Sequence, residues 1–387
     1  MISERLPPHS GPNALTRRLD GLRAAGEVYV DLTQSNPTQA AIPYPADLLA
    51  PLGDAAALRY DPEPFGLPSA RAAVAADCAR RGAHVDPAHI VLTASTSEAY
   101  TWLFKLLCNP GERVLVPRPS YPLFEHLTQL EGVRAEPYDL EYHGRWDVDF
   151  AAIDRAPAGT RALLLVTPNN PTGSFVSGPE IDRMSAICRD RGWALVADEV
   201  FADYVLDADA PISDLASRAE TCLTFTLGGF SKALGLPQVK LGWIVVGGPA
   251  ALRDTALAGL EMVADSFLSV GTPVQVAAPA LLQRGTAIRA AIQARIATNL
   301  SSLRRAAAPF PSSDVLPVGG GWSAVLRVPA THSEEELVLD LLDRERILVH
   351  PGYFFDFRHE AYLIVSLLPP HDVFDAAIPR LLRAVSR

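Results

Sequence analysis

Lys232 is the first residue of this chain whose type and setting suggest chemistry. It lies in residues 228–236, which read GGFSKALGL and directly follow a predicted strand. Open α/β sheets bind ligands at the carboxyl ends of their strands. A lysine desolvated there has a lowered pKa, and its neutral amine can attack an aldehyde. A solvated loop lysine is the alternative interpretation, because short motifs also match by chance.

Polar side chains follow two further predicted strands. Residues 169–173 read NNPTG, and Asn170 can direct its amide at a ligand hydroxyl, although Asn, Pro and Gly also form ordinary turns. Asp198 ends the strand that starts at Trp193, where a buried carboxylate is costly unless it is paired. A protonated pyridine nitrogen is one such partner and turns the ring into an electron sink. A helix N-cap is the alternative role for Asp198.

Hydroxyl and aromatic residues follow the remaining strand ends. Ser95, Thr96 and Ser97 stand between the predicted strand Ile90–Thr93 and a helix, where free backbone N–H groups and hydroxyls can cradle a phosphate. An ordinary N-cap is the alternative there. Tyr121 follows another strand and can stack on a heteroaromatic ring, or simply pack in the core.

The elements that must position these residues alternate between short apolar strands and helices. This pattern predicts an α/β fold, with a large domain whose mostly parallel sheet lies between helices. The predicted strands are Ile90–Thr93, Arg113–Pro117, Ala162–Thr167, Trp193–Asp198, Cys222–Thr226 and Leu241–Val246. The predicted helices are Ser97–Cys108, Tyr121–Gly132, Pro179–Arg191 and Pro249–Glu261.

The pattern changes after about Gly271. A long helical stretch over Thr272–Ala308, a helix over Ser333–Arg344 and strands near Ile347–His350 and Tyr362–Leu367 predict a smaller α+β domain. The first forty or so residues lack a core of their own and are expected to pack against it. We therefore expect a large domain over residues 45–275 and a discontinuous small domain of residues 1–44 and 276–387.

The order of these segments is more specific than any one of them. The candidate phosphate cradle comes first along the chain, followed by the aromatic residue, the Asn, the Asp and the Lys, each at the end of a predicted strand. The last three belong to the motifs NPTG, DE and SK, which occur in that order. With them the chain resembles the class I/II aminotransferases, which are fold-type I enzymes dependent on pyridoxal 5′-phosphate (PLP). The resemblance runs from Asp31–Pro37 to Tyr362–Leu367, and it implies a seven-stranded type of sheet in the large domain.

The resemblance implies a role for each segment. Lys232 matches the lysine that holds PLP as a Schiff base and moves the proton, and Asp198 matches the partner of the pyridine nitrogen. Asn170 matches the amide that binds the ring oxygen of the cofactor, and Tyr121 matches the ring stacked on the pyridine. The stretch Ser95–Ser97, which includes Thr96, matches the phosphate loop.

The resemblance also implies a homodimer with shared active sites. Tyr60, in the sequence YDPEPFG, matches a tyrosine that reaches the phosphate in the neighbouring subunit. Asn36, Trp322 and Tyr353 belong to segments that match the substrate pocket. The partners implied are a small-molecule amino donor, expected to be an amino acid, and a keto acceptor.

Three departures from the family pattern concern the cofactor. Phe201 replaces a tyrosine that donates to the ring oxygen, which leaves Asn170 more of that task. Gly229 replaces a serine that donates to the phosphate, and Ser231 is a possible substitute. Lys240 stands where the family has a phosphate-clamping arginine, so a point charge replaces a bidentate fork.

A fourth departure concerns the substrate. The final strand usually carries an arginine that binds the α-carboxylate, and that position is Ile364 here, which cannot make such a contact. Three explanations are open: another arginine takes this role, the substrate is held differently, or the substrate has no α-carboxylate. Arg327 and Arg358 are the candidate arginines, and the alternative for each is an ordinary solvated surface residue.

The sequence thus predicts a PLP-dependent aminotransferase. A PLP-dependent lyase or decarboxylase on the same fold is the alternative, because the fold does not decide which bond breaks. An effector-binding module with this fold would need an N-terminal basic DNA-binding domain, for which the motifs leave no room before Asp31. A non-catalytic relative would not need Lys232, Asp198 and Asn170 together.

Composition narrows the remaining classes. The net charge of −10 argues against nucleic acid or an anionic membrane as the main partner. No stretch reaches the roughly 20 apolar residues of a membrane span, and no apolar signal segment begins the chain. The four cysteines have no CxxC spacing and no nearby histidine ligand, so we expect no metal site, reduced thiols and a cytoplasmic protein.

Overall fold

A computed structural model describes residues 3, 5, 6, 11–212, 215 and 221–386. Within these residues the strands are β1 (Val30–Asp31), β2 (Ile90–Thr93), β3 (Arg113–Arg118), β4 (Arg134–Tyr142), β5 (Trp146–Val148), β6 (Thr160–Val166), β7 (Ala194–Asp198), β8 (Thr224–Gly229), β9 (Gly242–Gly247), β10 (Asp314–Val315), β11 (Ser323–Arg327), β12 (Ile347–Leu348), β13 (His350–Pro351) and β14 (Tyr362–Ser366).

Helices connect and cover these strands. Within the same residues they are α1 (Ala14–Ala24), α2 (Pro68–Arg80), α3 (Thr96–Leu107), α4 (Leu123–Leu130), α5 (Phe150–Asp154), α6 (Gly178–Arg191), α7 (Phe230–Ala233), α8 (Ala250–Phe267), α9 (Thr272–Arg284), α10 (Thr286–Ala307), α11 (Glu334–Asp340) and α12 (His371–Val385). None of the described helices is long and apolar enough to cross a membrane.

The large sheet confirms the α/β fold. Its strand order is β2-β9-β8-β7-β6-β3-β4-β5. The pairs from β8 through β4 are parallel, β9 runs antiparallel to both of its neighbours, and β5 closes a hairpin with β4. The sheet therefore has one strand more than the predicted seven. The sequence analysis missed β4 and β5 because β4 lies near the edge and is mostly only partly buried, with Tyr138 and Asp139 as its buried residues.

The sheet is buried on both faces, as continuously apolar strands require. Along β6, Leu164 and Val166 pack in the core beneath α3 and α8, whereas Leu163 and Leu165 pack in the opposite core with α6. Successive side chains of a strand point to opposite faces. The two cores hold the strand ends in register at one edge of the sheet.

The C-terminal part has its own sheet, ordered β10-β11-β14-β13. The N-terminal strand β1 pairs in parallel with β12, which attaches the first segment to this part of the chain. The helical stretch predicted over Thr272–Ala308 is present as two helices, because α9 ends at Arg284 and α10 begins at Thr286. A Cβ at the intervening Gly285 would lie 2.5 Å from Leu234 Cδ2 and 2.9 Å from the Leu281 carbonyl oxygen, so a larger residue there would force its neighbours to shift.

Candidate active site

A cavity of about 240 Å³ opens at the carboxyl edge of the large sheet, where the small C-terminal sheet faces it. Its lining brings together residues from segments that are distant in sequence. The sequence-predicted site residues that line it are Thr96, Ser97, Tyr121, Asn170, Asp198, Lys232 and Trp322. Both Phe201 and Gly229, two of the departures, also line it.

Lys232 lies in the single turn of α7, directly after β8. Its Nζ atom lies 5.0 Å from the ring centre of Trp322 and 5.5 Å from that of Phe201. Burial lowers the pKa of the amine, and the negative charge of Asp198 partly opposes this effect. The amine therefore stands in a setting that favours its neutral, nucleophilic form.

Two hydrogen bonds to the backbone hold the Lys232 turn in place. The Tyr204 hydroxyl donates to the Lys232 carbonyl at 2.7 Å, and Arg289 Nε donates to the Ala233 carbonyl at 3.1 Å. The Arg289 guanidinium also pairs with the buried Asp77 at 3.1 Å. Sequence analysis missed Tyr204 and Arg289, since neither has a motif and both lie far along the chain from Lys232.

Asp198 ends β7 with its carboxylate held by two donors. The backbone N–H of Val200 donates to Oδ1 at 3.1 Å, and the Tyr100 hydroxyl donates to Oδ2 at 3.0 Å. Burial raises the pKa of this carboxyl to about 6, while both hydrogen bonds and the charge of Lys232 lower it. Tyr100 also escaped the sequence analysis, because a tyrosine inside an apolar helix is typical of a core residue.

The start of α3 forms the opposite end of the cavity. The Ser95 side chain accepts a hydrogen bond from the Glu98 N–H at 3.1 Å and so caps the helix, while Thr96 and Ser97 line the cavity. The first backbone N–H groups of a helix have no intrahelical partner, and its dipole favours an anion there. A Cβ at the nearby Gly229 would meet the Leu241 carbonyl oxygen at 3.2 Å, so little space remains for a side chain.

Asn170 and Tyr121 are placed by a neighbour that the sequence analysis left unassigned. Asn169 donates through Nδ2 to the Pro119 carbonyl at 3.0 Å and accepts from the Ser120 hydroxyl at 3.1 Å. This pair of bonds ties the loop after β3 to the loop after β6. Tyr121, which is 48% exposed, thereby borders the cavity beside Asn170.

The predicted residues Lys240 and Tyr60 lie outside the cavity lining. Lys240 is exposed and has a left-handed backbone with φ 60°, directly before the lining residue Leu241. Tyr60 is 69% exposed and borders a separate small cavity with Leu268. Their expected contacts with the cofactor stay predictions.

Two predicted substrate residues also lie outside the lining. The Asn36 side chain accepts hydrogen bonds from the Thr38 N–H at 3.1 Å and hydroxyl at 2.7 Å, so it caps a short turn. Tyr353 is 41% exposed. In the same two segments, the nearby residues Ser35 and Phe355 line the cavity instead. Asn36 and Tyr353 therefore stay predictions without a contact to this cavity.

Ile364 and Ser366 give the cavity its wall on the small sheet. Both lie on β14 with their side chains toward the cavity, and His350 is the strand partner of Ile364. Burial lowers the pKa of the His350 imidazole, although the charge of Asp31 opposes this. Ser366 is already engaged, because its hydroxyl donates to the Gln34 carbonyl at 2.5 Å. This wall is mainly apolar and neutral.

The carboxylate of Glu334 fixes the segment that carries His350 and Phe355. Its Oε2 accepts from the Tyr353 N–H at 2.8 Å, and its Oε1 accepts from the Tyr362 N–H at 2.7 Å. Burial raises the pKa of Glu334, and these two hydrogen bonds lower it. The bonds bind the turn after β13 to the start of β14.

The two arginines considered as substitutes at Ile364 have other partners. Arg327 pairs with Asp314 at 2.5 Å on the exposed side of β11, and Arg358 pairs with Asp139 at 2.7 Å. Neither lines the cavity. Among the described lining residues the charged side chains are Lys232 and Asp198.

Comparisons with known proteins agree with the geometry. The family model "Aminotransferase class I and II" matches residues 28–377. The chain is 30% identical over 305 residues to an alanine aminotransferase of Mycobacterium tuberculosis, covering 76% of this chain and 70% of that protein. It is 29% identical over 300 residues to a glutamate-pyruvate aminotransferase of Haemophilus influenzae, covering 75% of this chain and 73% of that protein.

A solved structure is similar over almost the whole chain. An aminotransferase from Escherichia coli superposes with a TM-score of 0.86 at 25% sequence identity, covering 97% of this chain and 95% of that one. The similarity therefore extends over both sheets.

Proposed function

The chain belongs to the class I and II aminotransferases, and we propose that the cavity around Lys232 is where it transfers amino groups between small molecules with pyridoxal 5′-phosphate. When bound, PLP carries the amino group and its ring acts as an electron sink. The observation that supports this site is the juxtaposition of a half-buried amine and a buried carboxylate, Lys232 and Asp198, in one cavity.

The chain's own groups fit the parts of that cofactor. Thr96 and Ser97 at the start of α3 suit its phosphate, because the helix terminus offers N–H donors and hydroxyls. The Asp198 carboxylate suits its ring nitrogen, and the Lys232 amine suits its aldehyde carbon. These groups come from separate strand ends of the large sheet.

Asn170 and Tyr121 complete the proposed cofactor contacts. The Asn170 amide would donate to the ring oxygen, where the ring of Phe201 has no hydroxyl to offer. Tyr121 would cover one face of the ring. Lys240 would add a positive charge for the phosphate from just beyond Leu241.

During the reaction Lys232 would hold and move a proton. Its amine is free of hydrogen-bond partners among the described residues, so it can exchange protons with a substrate carbon beside it. Trp322 and Phe201 pack edge to face, with ring centres 5.3 Å apart, and shield that amine from water. Desolvation lowers the pKa of the amine, so the amine is not permanently charged and can accept a proton.

The amino donor is proposed to be an amino acid and the acceptor a 2-oxo acid. The relatives carry names that refer to alanine, glutamate and pyruvate. Because Ile364 replaces a guanidinium, the carboxylate of the donor would meet neutral donors, the Ser35 hydroxyl and the His350 imidazole, both of which line the cavity. The apolar wall of Ile364, Phe355 and Trp322 favours an apolar side chain in the donor.

A homodimer is proposed from exposed apolar residues near Tyr60. Phe267 is 53% exposed and precedes Leu268, which borders the same small cavity as Tyr60. Leu58 and Met262 are also exposed. Exposed apolar patches favour a protein interface, and Phe267 and Leu268 are neighbours in the chain. In the dimer Tyr60 would reach the phosphate in the partner subunit.

Domain division and location are proposed as follows. A large domain spans residues 45–275, and a small one combines residues 1–44 with 276–387, through the pairing of β1 with β12. Residues 1, 2, 4, 7–10, 213, 214, 216–220 and 387 of these ranges lie outside the described residues. The four cysteines, all among the described residues, form no disulfide, which favours a reducing compartment such as the cytoplasm.

The visible absorbance spectrum of the purified protein, before and after addition of amino acids and simple amines, tests the proposal. A band that shifts with amino acids and returns with a 2-oxo acid supports transamination at this site. Loss of CO₂ or ammonia without such a return would favour the alternative, a lyase or decarboxylase. Absence of any band after reconstitution with PLP would overturn the assignment.

A further inference from the structure

We propose that Tyr100 is a positioning residue, which orients the Asp198 carboxylate toward the ring nitrogen of the bound cofactor and keeps it ionised. This inference rests on the proposed role of Asp198. It starts from the hydrogen bond in which the Tyr100 hydroxyl donates to Asp198 Oδ2 at 3.0 Å. Tyr100 also lines the cavity.

The helix that begins at the proposed phosphate site carries Tyr100. Thr96 and Tyr100 are four positions apart on α3, and residues at that spacing share one face of a helix. Both line the same cavity. One rigid helix thereby places a phosphate donor and the Asp198 partner at a fixed separation.

Packing leaves the Tyr100 ring little freedom. The residue is 4% exposed, and its ring meets Phe124 edge to face with centres 5.3 Å apart. The ring of Phe104 lies 6.0 Å away on another side. The hydroxyl is therefore held toward Asp198 by the surrounding core, and it does not need the cofactor to find its place.

Both carboxylate oxygens of Asp198 are engaged, one by each donor. Val200 N–H occupies Oδ1 at 3.1 Å, and the Tyr100 hydroxyl occupies Oδ2. Two fixed donors set the rotation of the carboxylate, and the remaining lone pairs are free to meet a ring N–H. Hydrogen bonds to the charged form also favour ionisation, against the effect of burial.

The other groups that face Asp198 do not replace Tyr100. Lys232 contributes its positive charge, but its amine would be bound to the cofactor in the working enzyme. Burial and, after it, the charge of Asp198 raise the pKa of Tyr121, which marks that hydroxyl as a further neighbour. Without Tyr100, a buried Oδ2 would lose its donor and Asp198 would be protonated more easily, which weakens its attraction for a protonated ring nitrogen.

Tyr100→Phe tests this inference against Tyr138→Phe as the matched control. Tyr138 is equally buried, but its hydroxyl donates to the Leu164 carbonyl at 2.8 Å, in the core on the other face of the sheet. The readout is the dissociation constant of PLP from the full chain, measured by absorbance between about pH 5 and 9, with the thermal midpoint recorded for each variant.

We expect Tyr100→Phe to bind PLP about tenfold more weakly at neutral pH, since hydrogen bonds to charged groups are worth at least that factor. The pH below which affinity falls should also move upward. Tyr138→Phe should match the wild type in both. In an Asp198→Asn background, Tyr100→Phe should cause no further shift of that pH.

Two results would overturn the inference. Equal PLP affinity and pH dependence in Tyr100→Phe and Tyr138→Phe would show that the hydroxyl does not act through Asp198. If Tyr100→Phe shifted the pH dependence of PLP affinity by the same amount in the Asp198→Asn background, the hydroxyl would likewise not act through Asp198. Failure of the wild type to bind PLP would instead overturn the proposed function, and this inference with it.

Discussion

The amine of Lys232 lies over the indole ring of Trp322, with Nζ 5.0 Å from the ring centre. A positive charge is attracted to the face of an aromatic ring. Burial acts in the opposite sense and lowers the pKa of the amine. The amine is therefore both held in place and close to its reactive form.

Replacing Lys232 with Ala should abolish turnover and the visible band of the PLP-loaded protein, because no other described lysine lines the cavity. Absorbance spectra and an amino-transfer assay measure the two effects. Lys105→Ala is the control, since Lys105 is exposed and pairs with Glu131 on the surface. Turnover that survives in Lys232→Ala would contradict the assignment.

Replacing Lys240 with Ala should weaken PLP retention about tenfold, because the positive charge that we propose for the phosphate is lost. Dialysis of the loaded protein, followed by absorbance, measures the loss. Lys240→Arg should retain the cofactor at least as well as the wild type, since a guanidinium binds phosphate in a bidentate manner. Unchanged affinity in Lys240→Ala would remove this residue from the phosphate site.

Replacing Ile364 with Arg should lower the KM for an apolar amino acid about tenfold, because a guanidinium adds a bidentate contact to the carboxylate. The matched amine without a carboxylate should show no such gain. Ile364→Met keeps the wall apolar and is the control for packing. If the arginine variant loads PLP normally and amino acid and amine change equally, the carboxylate does not approach β14.

Acid stability of the cofactor-free protein should depend on Asp198. Its folded pKa of about 6 lies above the ordinary value of 3.8, so its contribution to stability is present below about pH 4 and is lost as the pH rises through about 6. Asp198→Asn does not titrate. It should therefore gain stability relative to the wild type as pH rises through this window, by about 3 kcal/mol in total.

Urea unfolding at several pH values, with PLP removed, measures that difference. A difference that stays constant between pH 4 and 7 would show that the folded carboxyl has an ordinary pKa. Glu336→Gln serves as a contrast, because hydrogen bonds from Ser333 lower the pKa of that exposed carboxyl. The pH dependence of its variant should have the opposite sign.

Shared active sites can be tested by mixing two defective variants. Lys232→Ala and Tyr60→Ala each damage one contributor to a site. In a heterodimer one of the two sites would contain the intact Lys232 of one subunit and the intact Tyr60 of the other. Refolding the two variants together should therefore restore activity and PLP retention above the mean of the separate variants. No gain, despite heterodimers detected by mass spectrometry, would place Tyr60 outside the partner's site.

The sequence alone identified the strand ends and the residues that follow them. Buried parallel strands are continuously apolar, and polar residues directly after them are conspicuous, which is why Asp198, Asn170 and Lys232 could be named without coordinates. The family and the α/β fold followed from their order and are confirmed by the family match and by the large sheet. The hairpin of β4 and β5 was missed, because a strand near a sheet edge is only half buried.

Only the tertiary structure decided which side chains support those residues. Tyr100, Tyr204 and Arg289 act through hydrogen bonds to groups far away in sequence, and no local pattern records such a pairing. The tertiary structure likewise gives Arg327 and Arg358 partners outside the cavity. Short motifs follow from the chain's own turns and strands, whereas contacts between distant segments exist only once packing has fixed their separation.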